Sequence, residues 1–137
     1  MSAQPKSSGF RFLLDLHSGM PVYRQIMDQV RGGFASGALT PGDQLPTVRQ
    51  LAVDLAINPN TVVRAYRELE LGGLLETHQG TGTFIGAQKM KRSDAERERQ
   101  LTQIVADCVA RAGAAGFTVY ELIDELRGLA AEPTRRR

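Results

Sequence analysis

Between Val48 and Leu71 the apolar positions fall into two helical periods separated by a short polar break. Val48, Leu51, Ala52 and Leu55 recur at the three-and-four spacing that lines one face of a helix. Thr47 stands where an N-cap belongs, and Gln50 three residues on completes the pattern of a capping box. Ile57 follows in a turn. Asn58 is a second N-cap, and Pro59 takes the first helical position, where its missing N–H costs nothing. The second helix then runs to Leu71 with Val62, Ala65, Tyr66 and Leu69 as its apolar stripe, and Gly72-Gly73 stop it as a left-handed cap. Beyond it, Leu74–Thr77 and Thr83–Ile85 flank the tip His78-Gln79-Gly80-Thr81-Gly82, whose glycines permit the positive backbone angles of a tight hairpin.

Upstream, Phe10–Leu16 alternates loosely, which predicts a short strand ended by the turn-like Ser18-Gly19. Pro21 opens a helix whose apolar face is Tyr23, Ile26, Met27, Val30 and Phe34; Gly37 stops it and Pro41-Gly42-Asp43 marks a loop. Its Arg24 and Arg31 read equally well as solvated charges and as phosphate contacts. Three helices followed by a Gly-tipped hairpin form the pattern of a winged helix-turn-helix, a module whose usual work is reading duplex DNA.

The second helix of the pair carries the chemistry. Opposite its apolar stripe lie Asn60, Arg64 and Arg67, with Thr61 and Glu68 on a flank. On an isolated helix this would be a solvated polar face. With a capped helix before it and a hairpin after it, the same face suits a major groove. Asn bonds bidentately to adenine, Arg to guanine or phosphate, and the Thr methyl packs on thymine. The hairpin tip is placed to touch the DNA backbone or enter a minor groove, the alternative being a purely structural hairpin.

Taken together, these residues resemble the N-terminal domain of the GntR family of bacterial transcription regulators, over residues 11–86. The runs PVYRQIMDQV, GDQLPTVRQLA and INPNTVVRAYRELE, with the short C-terminal tail, resemble its YtrA subfamily. The resemblance implies DNA contacts from Arg49 at the start of the first helix of the pair and from Asn58, Asn60, Thr61 and Arg64 on the recognition helix. It puts Gln79 and Gly80 at the wing tip. Pro59 is a departure, since many members carry a basic residue there.

The C-terminal third has a different architecture. From about Ala95, the residues Leu101, Ile104, Val105, Cys108, Val109 and Ala112 make a helical stripe that Gly113–Gly116 breaks. Thr118 caps a second helix, with Glu121 at the capping-box position; Tyr120, Ile123, Leu126 and Leu129 form its apolar side, helped by Val119 and Leu122. A unit of about 40 residues buries too little to be stable alone. A second copy of the same hairpin, related by a two-fold axis, is the simplest cover, and packing back onto the chain's own winged helix is the alternative. The family resemblance also implies a compact helical dimerisation tail. Leu101, Ile104, Val105, Cys108, Val109, Ile123 and Leu126 are therefore the expected dimer contacts.

Composition narrows the rest. A hydrophobic fraction of 42% without a long apolar run excludes a transmembrane helix, and the polar Met1–Ser8 does not read as a signal peptide. The one cysteine, Cys108, forms no internal disulfide and reads as a small buried hydrophobe, so the chain is expected to be cytoplasmic. A net charge of +2 and a pI near 9.0 favour nucleic acid only mildly. Placement says more. Lys89, Lys91 and Arg92 follow the hairpin, with Asp94, Glu96 and Glu98 placed to start a helix, and Arg135–Arg137 after Pro133 read as a solubilising tail.

With only His17 and His78, both far from the tail, no His-rich metal site is expected there, and no nucleophile–base pair, phosphate loop or carboxylate pair stands out. His78 reads as an exposed wing residue, not a catalytic base. The chain is too short for the large effector or aminotransferase-like domain that some relatives carry. The expectation is an α+β protein: a winged helix-turn-helix over 11–86, a linker over 87–94 and an all-α dimerisation hairpin over 95–131. It is not an enzyme and takes no cofactor or metal. It would act as a homodimeric repressor on an inverted repeat in double-stranded DNA. Two other readings stay open: a winged helix that binds protein, against which Asn60, Arg64 and Gln79 argue, and a sensor with a small-molecule effector pocket between the dimer helices.

Overall fold

Three apolar stripes meet in one core. Ile26 and Val30, Leu51, and Val62, Ala65 and Leu69 are almost fully removed from solvent. They belong to α1 (Val22–Ser36), α2 (Val48–Leu55) and α3 (Pro59–Leu71) in a computed structural model that describes residues 10–86 and 93–130. The chain divides into two units, one within residues 1–88 and one within 89–131. The fold is α+β, a winged helix-turn-helix with C-terminal helices.

Caps define the helix-turn-helix. The Thr47 hydroxyl accepts from the Gln50 N–H at 3.0 Å, but the Gln50 side chain donates to Asp54 Oδ1 at 2.8 Å instead of returning to Thr47, so only half of the expected capping box forms. Asn58 Oδ1 accepts from the Asn60 N–H at 2.8 Å, and α3 starts at Pro59 as expected. At the far end Gly72 is right-handed and Gly73, at φ 87°, alone takes the left-handed turn. The Tyr66 hydroxyl donates to the Pro46 carbonyl at 2.7 Å, tying α3 to the start of α2, and burial pushes the phenol's pKa well above its ordinary value.

The first strand of the hairpin lies one residue later than expected, the second starts one residue earlier and ends at Ile85 as expected, and the sheet has a third strand. β2 (Leu75–His78) and β3 (Gly82–Ile85) pair antiparallel with Leu75 opposite Ile85 and His78 opposite Gly82. β1 (Gln44–Leu45) pairs with the outer side of β3, giving the order β1-β3-β2. Leu45, Leu75 and Ile85 point into the core, so the sheet closes its open side.

Phe10–Leu16 is not a strand. Its backbone bonds instead to two side chains of α1. Gln29 Oε1 accepts from the Leu13 N–H and Nε2 donates to the Leu13 carbonyl, at 2.9 and 2.6 Å. Buried Gln25 does the same for Asp15, at 2.8 and 2.9 Å, and also donates to the Met20 carbonyl and to Ser18 Oγ. Residues four apart on a helix thus satisfy residues two apart on an extended segment, because one helical turn nearly matches two strand residues in length. Phe34, expected inside, is 44% exposed. Leu39 and the Phe10 ring close over Gly33 instead, where a Cβ would meet both within 3 Å.

The second unit is a helical hairpin, α4 (Asp94–Ala114) and α5 (Val119–Leu129). Ser93 with Glu96, and Thr118 with Glu121, form complete capping boxes. Gly116, at φ 91°, turns the chain between them. No residue of either helix is buried. Cys108, expected inside, is exposed among the described residues, because α5 covers only part of the stripe it belongs to. Among the described residues no helix is long and apolar enough to cross a membrane. Met1–Ser8, Lys89, Lys91, Arg92, Pro133 and Arg135–Arg137 lie outside the described residues.

Candidate nucleic-acid interface

The three residues Asn60, Arg64 and Arg67 stand at i, i+4 and i+7 on α3, opposite buried Val62, Ala65, Tyr66 and Leu69, and all three are exposed. Thr61 is half-buried on the flank, and Arg49 is exposed in the first turn of α2. The first backbone amides of α3 are already engaged: Pro59 has none, the Asn60 N–H goes to the Asn58 side chain, and the Thr61 N–H goes to the Asn58 carbonyl at 3.0 Å. The helix start therefore offers side chains outward, not amides. Asn58 is itself a structural cap whose amide nitrogen has no partner among the described residues.

Polar side chains here divide into two groups. Gln25, Gln29, Gln44 and Gln50 are all hydrogen-bonded within the chain. Arg49, Arg67, Asn60 and Gln79 have no side-chain hydrogen bond or ion pair among the described residues, whereas Arg31 and Arg127 pair with Asp28 and Asp124 at 3.5 and 3.9 Å. Arg64 has no carboxylate partner among the described residues either. Its guanidinium carbon lies 3.8 Å from the centroid of the Tyr23 ring on α1.

At the wing tip Gln79 and Gly80 are exposed, Gly80 has φ 81°, and the Thr81 N–H closes the turn onto the His78 carbonyl at 2.9 Å. Gln44 holds this tip from β1, its amide nitrogen donating to the Thr81 carbonyl at 3.2 Å. At Gly82, φ 138°, a side chain would be strained by the backbone angle, and its Cβ would push that same amide off the Thr81 carbonyl. His78 lies 3.4 Å from Glu76 Oε1 with its ring against Phe84.

Three residues on or beneath this surface are not singled out by the sequence pattern. Val63 is 38% exposed beside Arg67, which its place on the helical wheel could have revealed. The helical period places Tyr23 on the core face, and Gln44, just after the Pro41-Gly42-Asp43 loop, has no role in the sequence pattern; neither carries a local signal of its role. In the second unit Leu101, Ile104, Val105, Cys108 and Val109 follow one another along α4 at three-and-four spacing and are exposed, as is Leu126 on α5; Ile123 is 38% exposed. Phe117 and Tyr120 extend this apolar surface.

Residues 22–85 match the family described as bacterial regulatory proteins, gntR family. The chain is 36% identical over 124 residues to the HTH-type transcriptional repressor YtrA of Bacillus subtilis, covering 87% of this chain and 92% of that one. It is also 36% identical over 110 residues to the HTH-type transcriptional regulator YhcF of the same bacterium, covering 80% and 90%. Among solved structures, a transcriptional antiterminator from Listeria monocytogenes superposes with TM-score 0.67 at 27% identity, over 89% of this chain and 94% of that one. YtrA from Sulfolobus acidocaldarius, a GntR-family transcription factor, gives 0.54 at 32% identity, over 72% and 97%. A helix-turn-helix with unengaged polar side chains outward, a Gly-tipped wing and relatives matched across both units lead to one assignment: the chain belongs to the GntR family of bacterial regulatory proteins.

Proposed function

We propose that this protein is a sequence-specific DNA-binding repressor that acts as a homodimer on an inverted repeat. The observation that carries the reading is the outward face of α3, where Asn60, Arg64 and Arg67 are exposed without a hydrogen-bond or carboxylate partner among the described residues. In the reading, α3 enters a major groove; Arg64 and Asn60 address bases, with Thr61 against a thymine methyl. Arg49, Arg67 and the free end of Asn58 address phosphates, and Gln79 and Gly80 bring the wing to the flanking minor groove. A protein-binding winged helix would need an apolar outer face, and this one is polar.

Residues 11–86 are the DNA-binding domain, 87–94 the linker and 95–131 the dimerisation hairpin. Support for the dimer is that no residue of α4 or α5 is buried and that Leu101, Ile104, Val105, Cys108, Val109, Ile123 and Leu126 are left as largely uncovered apolar positions on them. Two-fold pairing would bury these positions. The protein acts in the cytoplasm, by occupying DNA and not by catalysis. Repression is the sign borne by the relative named a repressor.

Selection of bound sequences from a random duplex pool tests the whole reading. A palindrome with half-site centres about one helical turn apart, or a multiple of it, is the expected result. Failure to enrich any sequence overturns the DNA reading. Enrichment of a single asymmetric site overturns the dimer.

A further inference from the structure

We propose that Tyr23 is a positioning residue of the reading surface, a platform that holds Arg64 ready for DNA. The inference rests on the DNA reading of α3 but adds a residue from another helix. The guanidinium carbon sits 3.8 Å from the ring centroid, within the range of a cation–π contact. The ring is half-buried, packed against the core beneath it, and so is fixed in place. The Tyr23 hydroxyl has no hydrogen-bond partner among the described residues, so the ring face is the part of the side chain in use.

The chemistry favours this arrangement. An arginine held by a carboxylate has its N–H donors occupied and its charge neutralised. One held through the face of an aromatic ring keeps its charge and all five donors. The long side chain is ordered before DNA arrives, so less rotamer freedom is lost on binding. Lysine in place of Arg64 would lose both the stacking plane and the bidentate fork.

The test is a double-mutant cycle on the full-length protein, comparing affinity for the selected duplex at equal folded fraction. Arg64→Ala weakens binding. Tyr23→Leu, which keeps an apolar contact with the core, weakens it by about fivefold, the scale of one exposed cation–π contact. Tyr23→Phe keeps the ring and binds like wild type. In the Arg64→Ala background, Tyr23→Leu has no further effect. An independent readout needs no DNA: in the free protein the Arg64 side-chain protons are shifted upfield by the ring current in wild type and in Tyr23→Phe. That measurement decides the matter even if Tyr23→Leu is unstable.

Equal losses from Tyr23→Leu in both backgrounds would overturn the proposal, since Tyr23 would then act only through α1–α3 packing. So would unshifted Arg64 protons in wild type. Undiminished binding by Arg64→Ala sinks the platform role while leaving the DNA reading intact; a protein that binds no duplex at all sinks both.

Discussion

Asn58 and Ala56 bracket the turn between α2 and α3, and each shapes it by a different device. Asn58 caps α3 through its side-chain oxygen. Asn58→Ala is expected to lower stability by about 1 kcal/mol, measured by denaturant unfolding, whatever it does to DNA affinity. An unchanged unfolding midpoint would remove the cap from the energetics. Ala56 sits at φ 57°, the one non-glycine residue among those described with a positive φ, and its N–H bonds to the Ala52 and Val53 carbonyls. That conformation crowds its Cβ against the following carbonyl oxygen, at a cost of roughly 1–2 kcal/mol. Ala56→Gly relieves the crowding but loosens the unfolded chain, so a net gain of about 0.5–1 kcal/mol is expected; a loss would mean the strain is absent. Asn58 was legible, because Asn-Pro before an apolar period is a helix start in itself. Ala56 was not, since nothing in alanine's chemistry asks for a left-handed turn.

Elements were read well where they owed their form to their own residues. The stripes of α2 and α3 and the capping box of α5 are local patterns, and they stand where the sequence put them. Phe10–Leu16 and β1 owe their form to distant partners. An extended segment held by Gln25 and Gln29 alternates as a strand would, and a two-residue strand is too short to show a period. The glutamine clamp has its own test. Gln25→Ala leaves the Asp15 amide and carbonyl and the Met20 carbonyl without their partner, and about 1–3 kcal/mol of stability should go with them. The loss should be local: the Asp15 amide gains hydrogen exchange while the amides of α3 in the core keep their protection relative to global unfolding. Uniform loss of protection would show that the segment is part of the cooperative core.

At the scale of the whole molecule, every buried apolar residue among those described lies between Phe12 and Ile85, and none lies in α4 or α5. The stripes of the tail were legible, but what covers them was not, because periodicity reveals an apolar face and not the surface against it. Deleting the chain after Gln88 should therefore leave a folded winged helix that sediments as a monomer. Affinity for the full inverted repeat should fall by at least about 100-fold through lost effective concentration, while a lone half-site is bound almost as before. A truncated protein that stays dimeric would place the interface in the first unit.

The division of polar side chains into those that hold the fold and those that do not has an evolutionary consequence. Gln25, Gln29, Gln44, Thr47, Asn58 and Tyr66 are mortgaged to the architecture. Asn60, Arg67, Arg49 and Gln79 are not, so their replacement leaves the architecture standing. Asn60→Ala should shift the unfolding free energy by no more than about 0.5 kcal/mol, as for an ordinary surface position. A larger shift would show a hidden structural role. On the proposed reading, in which Asn60 addresses a base, duplicated copies of such a gene could acquire new operators through substitutions there without first passing through an unstable ancestor. Arg64 and Asn58 would drift under constraint, since a change at Arg64 strands the ring of Tyr23 and one at Asn58 removes a helix cap.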